Sequence, residues 1–269
     1  MAITQFQRAV CRLLAATRIA SGESYVAGGA ALNELLAAPR RSRDIDLFHD
    51  TEAALDASWR ADRRLLEQNG FTVRVLRERL GLVEAHVSQG PDAVVVEWTR
   101  DSAYRFFPLV EHADLGLVLH PFDLATNKVL ALVGRLEPRD WIDVIECDAR
   151  LQPLGYLAWA ACGKDPGFNP KSILEQSARG ARYTTPEIEV LDFEGAAPDA
   201  ATLSRRWHTI LATAHEVVNV LPTADVGRCV LTDRGALCRD APRALAIAVA
   251  QGRIRFHTGS IRGALPRVH

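Results

Sequence analysis

The pattern of apolar and polar positions in the first half of the chain alternates between helical and extended stretches. Apolar residues at helical spacing predict helices over 3–19, 30–38, 53–69 and 121–136. Short apolar or alternating runs predict strands over 24–27, 45–48, 72–77, 82–87, 94–99 and 117–119. Helices mixed with strands in this way predict an α+β domain in which helices pack on a mixed β-sheet.

Beyond Asp148 the pattern becomes mostly helical. Helices are predicted over 154–162, 203–221 and 242–251, and a small hairpin is predicted from the extended runs 228–231 and 236–239. We therefore predict an N-terminal domain over 1–150 and a mostly helical C-terminal region over 151–269. The last 42 residues hold eight arginines and two aspartates, with no glutamate or lysine. This basic tail suits either a polyanion such as RNA or pairing with the more acidic N-terminal domain.

Two aspartates and two glycines in the N-terminal domain suggest a binding site. In an extended strand, Asp44 and Asp46 share one face, and their like charges repel unless a cation lies between them. Gly28 and Gly29 lie between a strand and a helix, where the backbone can approach a ligand closely. The start of that helix offers N–H groups and a positive dipole to an anion. Together these features indicate a site for Mg²⁺ (or Mn²⁺) and a nucleoside triphosphate.

Three sequence blocks in this order resemble the DNA-polymerase-β-like nucleotidyltransferases, and in detail the AbiEii/AbiGii-type toxin nucleotidyltransferases. The blocks are Val-Ala-Gly-Gly-Ala-Ala-Leu at 26–32, Arg-Asp-Ile-Asp-Leu-Phe at 43–48, and residues 123–132 with Arg135 and 139–143. The resemblance covers about the first 150 residues. It implies a nucleotidyltransferase-like fold and names Gly28, Gly29 and Arg43 as nucleotide-binding residues. Arg43 would either hold a triphosphate oxygen or fix the two carboxylates by charge pairing.

The third block contributes further candidate residues. Only three of the 32 basic residues are lysines, and one of them, Lys128, lies within a predicted helix, from which it can reach a phosphate oxygen. Lys164 and Lys171 lie in or beside a Gly/Pro-rich loop and are expected at the surface. Asp140 and Asp143 share a helix face that follows Pro138. They either complete the active site, as in the resembled family, or serve the N-terminus of their own helix.

The resembled superfamily supplies a third carboxylate from a later strand. Glu97 is the only acid within the strand predicted over 94–99, so it joins Asp44 and Asp46 as an expected metal ligand. Asp101, just beyond that strand, is the alternative ligand. Glu97 could instead be a glutamate on an edge strand that simply faces water. His49 is expected only to line the site.

Composition adds three constraints. The formal net charge is −1, so no overall field draws the protein to nucleic acid. The five cysteines are scattered and form no Cys-x-x-Cys pair, which argues against a zinc site or a disulfide framework. No signal-peptide pattern and no apolar run of membrane-spanning length is present, so no membrane association is expected and a cytoplasmic location is predicted.

The expected activity is transfer of a nucleotide from an NTP to an acceptor hydroxyl. By resemblance, the acceptor would be an RNA, first of all a tRNA 3′ end, and the protein would be the toxin partner of an antitoxin. Two alternatives remain open. The acceptor could be a protein or a small molecule of the aminoglycoside kind, or the chain could bind a nucleotide or a partner without catalysis.

Overall fold

A computed structural model describes residues 2–179 and 183–266 of the chain. By their contacts these residues form two compact units. The first contains the residues up to 103, with 108–120 and 192–195, and the second contains 104–107, 121–191 and the residues from 196 onward. The helix predicted over 121–136 and the one after Pro138 thus belong to the second unit by contact, whereas the predicted domain boundary lies near residue 150. The boundary near residue 150 between an N-terminal domain and a C-terminal region stays a prediction.

The first unit is built on a seven-stranded sheet with the order β3-β4-β5-β2-β1-β8-β7. Its strands are β1 (Ser24–Ala27), β2 (Asp44–His49), β3 (Thr72–Arg79), β4 (Leu82–Gln89), β5 (Asp92–Arg100), β7 (Val110–His112) and β8 (Gly116–Val118). Its helices are α1 (Gln5–Ser21), α2 (Gly28–Leu35) and α3 (Glu52–Gln68). β2 runs parallel to β5 and β1 runs parallel to β8, while the other pairs are antiparallel. The predicted mixed sheet with packed helices is confirmed.

Strict alternation gives β2 a buried face and a half-exposed face. Ile45 and Leu47 are buried, and Val96 and Trp98 continue the buried face onto β5. The rings of Trp98 and Trp59 meet edge to face at a centroid distance of 4.7 Å, which places α3 over this face. The carboxylates of β2 therefore lie on the side of the sheet away from α3.

The second unit is mostly helical, as predicted. Its helices are α4 (Pro121–Arg135), α5 (Pro138–Arg150), α6 (Leu154–Ala161), α7 (Pro170–Arg179), α8 (Thr185–Glu189), α9 (Ala200–Val220) and α10 (Pro242–Ala250), with a 3₁₀ turn at Thr223–Asp225. Its strands are β6 (Tyr104–Arg105), β9 (Cys229–Thr232), β10 (Ile254–His257) and β11 (Ser260–Ile261). These strands form two small sheets, β9 with β10 and β6 with β11.

The hairpin predicted between 228–231 and 236–239 is only partly present. Leu231 and Leu237 form one isolated bridge, and β10 is the strand that pairs with β9. The backbone N–H groups of Thr232 and Cys238 donate to the carbonyl oxygens of Ala236 (2.8 Å) and Val230 (3.0 Å). The side-chain amide of Gln152 also donates to the carbonyl oxygens of Val230 (3.0 Å) and Cys238 (2.7 Å). A buried side chain therefore binds both segments of the predicted hairpin.

Candidate active site

The glycine pair forms the junction between β1 and α2. Gly28 has a φ of +64°, a conformation that only glycine adopts without strain. The N-cap residue of α2, Ala27, makes no side-chain capping hydrogen bond. The start of the helix therefore offers backbone N–H groups that no N-cap side chain satisfies, as an anion-binding helix requires.

The carboxylate of Asp46 lies directly against the backbone of Gly28. A methyl group at Gly28 would fall 1.6 Å from Asp46 Oδ2, so any side chain at this position collides with the carboxylate. The pairing of β1 with β2 causes this closeness, since Ala27 is the partner of Asp46 in the antiparallel register. Only glycine at position 28 allows the acid and the helix start to share one location.

Asp46 begins a row of acids that crosses the sheet. In the register of β2, β5 and β4, Asp46 is the neighbour of Glu97, and Glu97 is the neighbour of Glu84. We call Asp46, Glu97 and Glu84 the carboxylate row. Like charges at directly opposed positions destabilise a sheet unless a cation compensates them. Thr99 Oγ1 donates to Glu97 Oε1 at 2.6 Å, and Arg77 lies 3.7 Å from Glu84 at the far end of the row.

The register of β2 with β5 places Glu97, and not Asp101, beside Asp46. Glu97 is adjacent to Asp46, whereas Asp101 lies beyond the end of β5 and donates its backbone N–H to the carbonyl of His49. Sequence reasoning missed Glu84. A signal existed, because the two-residue turn at Gly90 and Pro91 pairs Gln89 with Asp92 and thereby sets Glu84 opposite Glu97. The metal-binding role of Glu97 stays a prediction.

The loop between α2 and β2 supplies a hydroxyl and a cation. Ser42 is buried, and its Oγ donates to Asp44 Oδ1 at 2.7 Å. A methyl group at Gly29 would lie 2.7 Å from Arg40 Nη2 and 3.2 Å from Ser42 Oγ. Both side chains therefore reach the start of α2.

The structure places Arg40 at the start of α2. Arg40 is 4% exposed, while the predicted nucleotide-binding residue Arg43 is exposed. The nearby sequence could not distinguish these arginines, because Arg40 is fixed by a β-bridge to Phe193, which lies 153 positions away. Arg43 stays a predicted contact, and Arg40 joins it as a candidate that sequence reasoning missed.

The acids fit a divalent metal ion that arrives with a nucleotide. Among residues 2–179 and 183–266, no group of three or more His, Cys, Asp or Glu side chains is arranged to hold a metal ion by itself. Mg²⁺ is commonly held by one or two carboxylates together with substrate phosphates rather than by a cage of protein ligands. The oxygen donors of Asp44 and Asp46 on one strand face, beside a helix start suited to phosphate, match that mode.

His49 was expected to line the site, but it faces the other side of β2. It is fully buried on the face of Ile45 and Leu47, with Nδ1 3.3 Å from the carbonyl oxygen of Thr99. Burial, and to a lesser degree the charge of Arg18, lower the pKa of His49 to about 4. The residue is therefore a neutral part of the core, and it contributes nothing directly to the carboxylate face.

In the second unit, the three other predicted catalytic residues lie together. Lys128 Nζ is 2.9 Å from Asp140 Oδ1 and 3.2 Å from Asp143 Oδ2, and both aspartates are fully buried. Arg135 adds a further ion pair to Asp140 at 3.1 Å. We call these four residues the lysine cluster. Their proposed roles at the active site stay predictions, but the structure shows that Lys128 forms ion pairs with two buried acids.

A second buried ion pair corrects the expectation for Lys164. This lysine was predicted at the surface, but only 8% of its side chain is exposed and its Nζ lies 2.8 Å from Asp123 Oδ1. Asp123 is fully buried and also accepts hydrogen bonds from the backbone N–H groups of Phe106 and Phe107 at 2.8 and 3.0 Å. The acid in the third sequence block therefore anchors the start of α4 and does not point to a ligand.

No protein-family model and no curated protein matches the sequence. Eight solved chains are similar to this one, including the following three. JHP933 from Helicobacter pylori is 10% identical, with 81% of this chain and 95% of that chain covered and a TM-score of 0.49. MenT4, a nucleotidyltransferase toxin from Mycobacterium tuberculosis H37Rv, is 15% identical, with 92% and 91% covered and a TM-score of 0.48. The antibiotic-resistance factor ANT(2'')-Ia is 14% identical, with 66% and 92% covered and a TM-score of 0.38.

The solved structures that resemble this chain thus include a nucleotidyltransferase, the class that the sequence blocks resemble. All three TM-scores lie below 0.5, so these similarities by themselves assign no activity. In the part of the chain that the structure describes, no helix combines the length and the apolar character needed to cross a bilayer.

Proposed function

We propose that this chain is a nucleotidyltransferase that moves a nucleoside monophosphate from an NTP to an acceptor hydroxyl. The observation that carries the proposal is the contact between Gly28 and Asp46. It unites a metal-binding type of carboxylate with the start of a helix of the kind that binds phosphates. In this reaction the acceptor oxygen forms a bond to the α-phosphorus, the bond to pyrophosphate breaks, and the hydroxyl proton is released.

The residues around the helix start would bind and orient the triphosphate. Backbone N–H groups at Gly28 and Gly29 can donate to phosphate oxygens, and the guanidinium of Arg40 lies against Gly29, where it can neutralise phosphate charge. Ser42 holds one carboxylate oxygen of Asp44 by its hydrogen bond, which limits the rotation of that side chain. Arg43 and Lys128 are the further phosphate contacts that the resemblance proposes.

Asp44 and Asp46 would hold the divalent ion, with Glu97 as the third oxygen donor beside Asp46. Such an ion neutralises charge on the phosphates and lowers the pKa of an acceptor hydroxyl. Asp140 and Asp143 would support the site through Lys128, with which both are paired. His49 has no part in this proposal, because it is buried on the other face of β2.

We further propose that the acceptor is an RNA. This proposal is supported by the sequence resemblance to the AbiEii/AbiGii-type toxins and by the arginine-rich tail, of which Arg234, Arg243 and Arg253 are exposed in the structure. The 3′ end of a tRNA is the first acceptor to test, and a protein that neutralises the activity is the expected partner. We also propose a toxin role, which the same resemblance supports, and a cytoplasmic location.

The direct test is incubation with each labelled NTP, Mg²⁺ or Mn²⁺, and total tRNA, followed by separation of RNA, protein and small molecules. We expect the label in RNA for wild type and none above background for Asp46→Asn. Asp56→Asn, which changes an exposed aspartate on α3, is the matched control and should label like wild type. Label in protein or in an added aminoglycoside would show that the acceptor is that molecule and not RNA. NTP binding without any Asp46-dependent transfer would refute catalysis.

A further inference from the structure

The edge strand of the large sheet carries three exposed arginines on one face. β3 is the outermost strand next to β4, and Arg74, Arg77 and Arg79 are all exposed. Arg77 makes one long ion pair with Glu84 at 3.7 Å, with 61% of its own side chain still exposed. We call these three residues the arginine strip.

A β-bulge is what brings the strip onto a single face. Arg74 and Arg77 are three positions apart, so in a regular strand they would point to opposite faces. The register shifts between Val75 and Arg77, which makes Arg74 the partner of His86 and Arg77 the partner of Glu84. Because His86 and Glu84 are two positions apart on a regular strand, the two arginines point to the same face. Arg79, opposite Leu82, continues the same face.

That face is the one that carries the candidate active site. The row from Arg77 continues through Glu84 and Glu97 to Asp46, and the row from Arg74 continues through His86 and Val95 to Asp44. With strands about 4.8 Å apart, the strip lies roughly 10 Å from the strand of Glu97 and roughly 14 Å from that of Asp46. Successive arginines of the strip are about 7 Å apart along the strand, a step comparable to that between neighbouring phosphates of an extended polynucleotide.

We propose that the arginine strip binds the phosphates of a single-stranded segment of the RNA acceptor and thereby directs its terminal hydroxyl to the carboxylates. The inference rests on the proposed function and names the surface that the acceptor uses. Charge complementarity supports it, because acids alone would repel a polyanion and the three guanidinium groups provide the attraction beside them. Arginines on an edge strand can instead serve only to prevent pairing with other sheets, and the experiment separates the two roles.

The test compares two triple variants that remove the same charge. Arg74→Gln, Arg77→Gln and Arg79→Gln together change the strip. Arg60→Gln, Arg63→Gln and Arg64→Gln together change three exposed arginines of α3, which packs on the opposite face of the sheet. Binding of a fluorescent single-stranded RNA is measured by anisotropy at several salt concentrations in the absence of NTP, and transfer is measured as KM and kcat for the RNA.

The strip variant should bind RNA at least about tenfold more weakly at low salt. Its plot of log affinity against log salt should lose about 0.7 in slope per lost phosphate contact, or roughly 2 in total. KM for the RNA should rise with little change in kcat, while NTP binding stays as in wild type. The α3 variant should match wild type in every measurement.

Equal RNA binding by the strip variant and wild type, or equal weakening in both triple variants, would overturn the inference. Should the strip triple variant fold poorly, the double variant Arg74→Gln with Arg79→Gln leaves the Arg77–Glu84 pair intact and must still weaken binding and reduce the salt slope. The two proposals can fail separately. Transfer to RNA that does not depend on the strip would refute the role of the strip and leave the proposed function intact. Strip-dependent RNA binding without transfer to any acceptor would refute the proposed enzyme activity and leave the role of the strip intact.

Discussion

Two groups of acidic side chains in this protein have opposite surroundings. Asp44, Asp46 and Glu97 lie half-exposed on one sheet face, beside a helix start and with their own charges adjacent. Asp140 and Asp143 are fully buried in the second unit, and Lys128 lies within 3.2 Å of both. The first group gathers negative charge that a bound cation can compensate, whereas the second group is already compensated by the fold.

This difference separates two uses of an acid that sequence alone does not distinguish. Buried charges must be paired inside the protein, because the cost of removing them from water is several kcal/mol per ion. Half-exposed acids remain solvated and can exchange water for a metal ion or a ligand. The lysine cluster is therefore expected to act first on stability, and the acids on β2 and β5 first on activity.

The largest expected effect is on the lysine cluster. Lys128→Met leaves two fully buried carboxylates without their common partner, so the free energy of unfolding should fall by about 3–5 kcal/mol. Urea denaturation followed by circular dichroism measures it. Lys171→Met, an exposed lysine, and Arg135→Gln, half-exposed although it contacts Asp140, should each cost less than about 1 kcal/mol. Unchanged stability with lost NTP binding would instead place Lys128 at the phosphates.

The second prediction tests the buried face of β2. The pKa of His49 is lowered to about 4 in the fold, so the unfolded chain, with an ordinary histidine pKa near 6.5, binds the proton more readily. This contribution to stability is present above about pH 6.5 and is lost as the pH falls towards 4, by at most about 3 kcal/mol. His49→Gln should flatten that pH dependence in urea titrations, and the exposed His215→Gln should not. A slope that survives in His49→Gln would contradict a buried neutral role.

The third prediction returns to the glycine beside Asp46. Gly28→Ala adds a methyl group 1.6 Å from Asp46 Oδ2, and the displaced carboxylate should lower the transfer rate about 100-fold. Gly90→Ala is the matched control, since Gly90 also has a positive φ (+60°) but no atom within 4 Å of an added methyl group. Both variants carry similar backbone strain. Equal rates in the two would mean that the position of Asp46 does not govern the reaction.

The smallest expected effect concerns the hydrogen bond that holds Asp44. Ser42→Ala removes the 2.7 Å contact to Asp44 Oδ1 without removing a charge, so the rate should fall about threefold to tenfold. The concentration of Mg²⁺ required for half-maximal rate should rise. Ser204→Ala, on α9 in the second unit, serves as the control. An unchanged requirement for metal ion would show that Asp44 needs no such support.

Local signals in the sequence predicted the elements of the fold well. The strand predicted over 24–27 is observed with those bounds, and the helix predicted to follow Pro138 begins at that residue, because a proline suits the first turn. Alternation along β2 correctly separated its acidic face from its apolar face. The hairpin after β9 is only partly present, since its second segment forms one isolated bridge and the strand that pairs with β9 is β10, later in the chain.

The candidate site was only partly predictable for the same reason. The close approach of Gly28 and Asp46 depends on the register of β1 with β2, which a local pattern does not fix. Arg40 gains its place through Phe193, and Lys164 is buried by pairing with Asp123, 41 positions earlier in the chain. The strand face on which a residue lies can be predicted from its neighbours in sequence. The side chains that it contacts depend on the whole fold.

The short segment at 192–195 affects when the protein matures during synthesis. Asp192 accepts a hydrogen bond from the N–H of Arg41, and Glu194 donates its N–H to the carbonyl of Pro39, so this segment clamps the loop that carries Arg40. The loop therefore cannot gain these hydrogen bonds until the ribosome has synthesised the chain through residue 194. A truncated product that stops near residue 150 would carry the two β2 aspartates but lack the segment that holds the loop of Arg40.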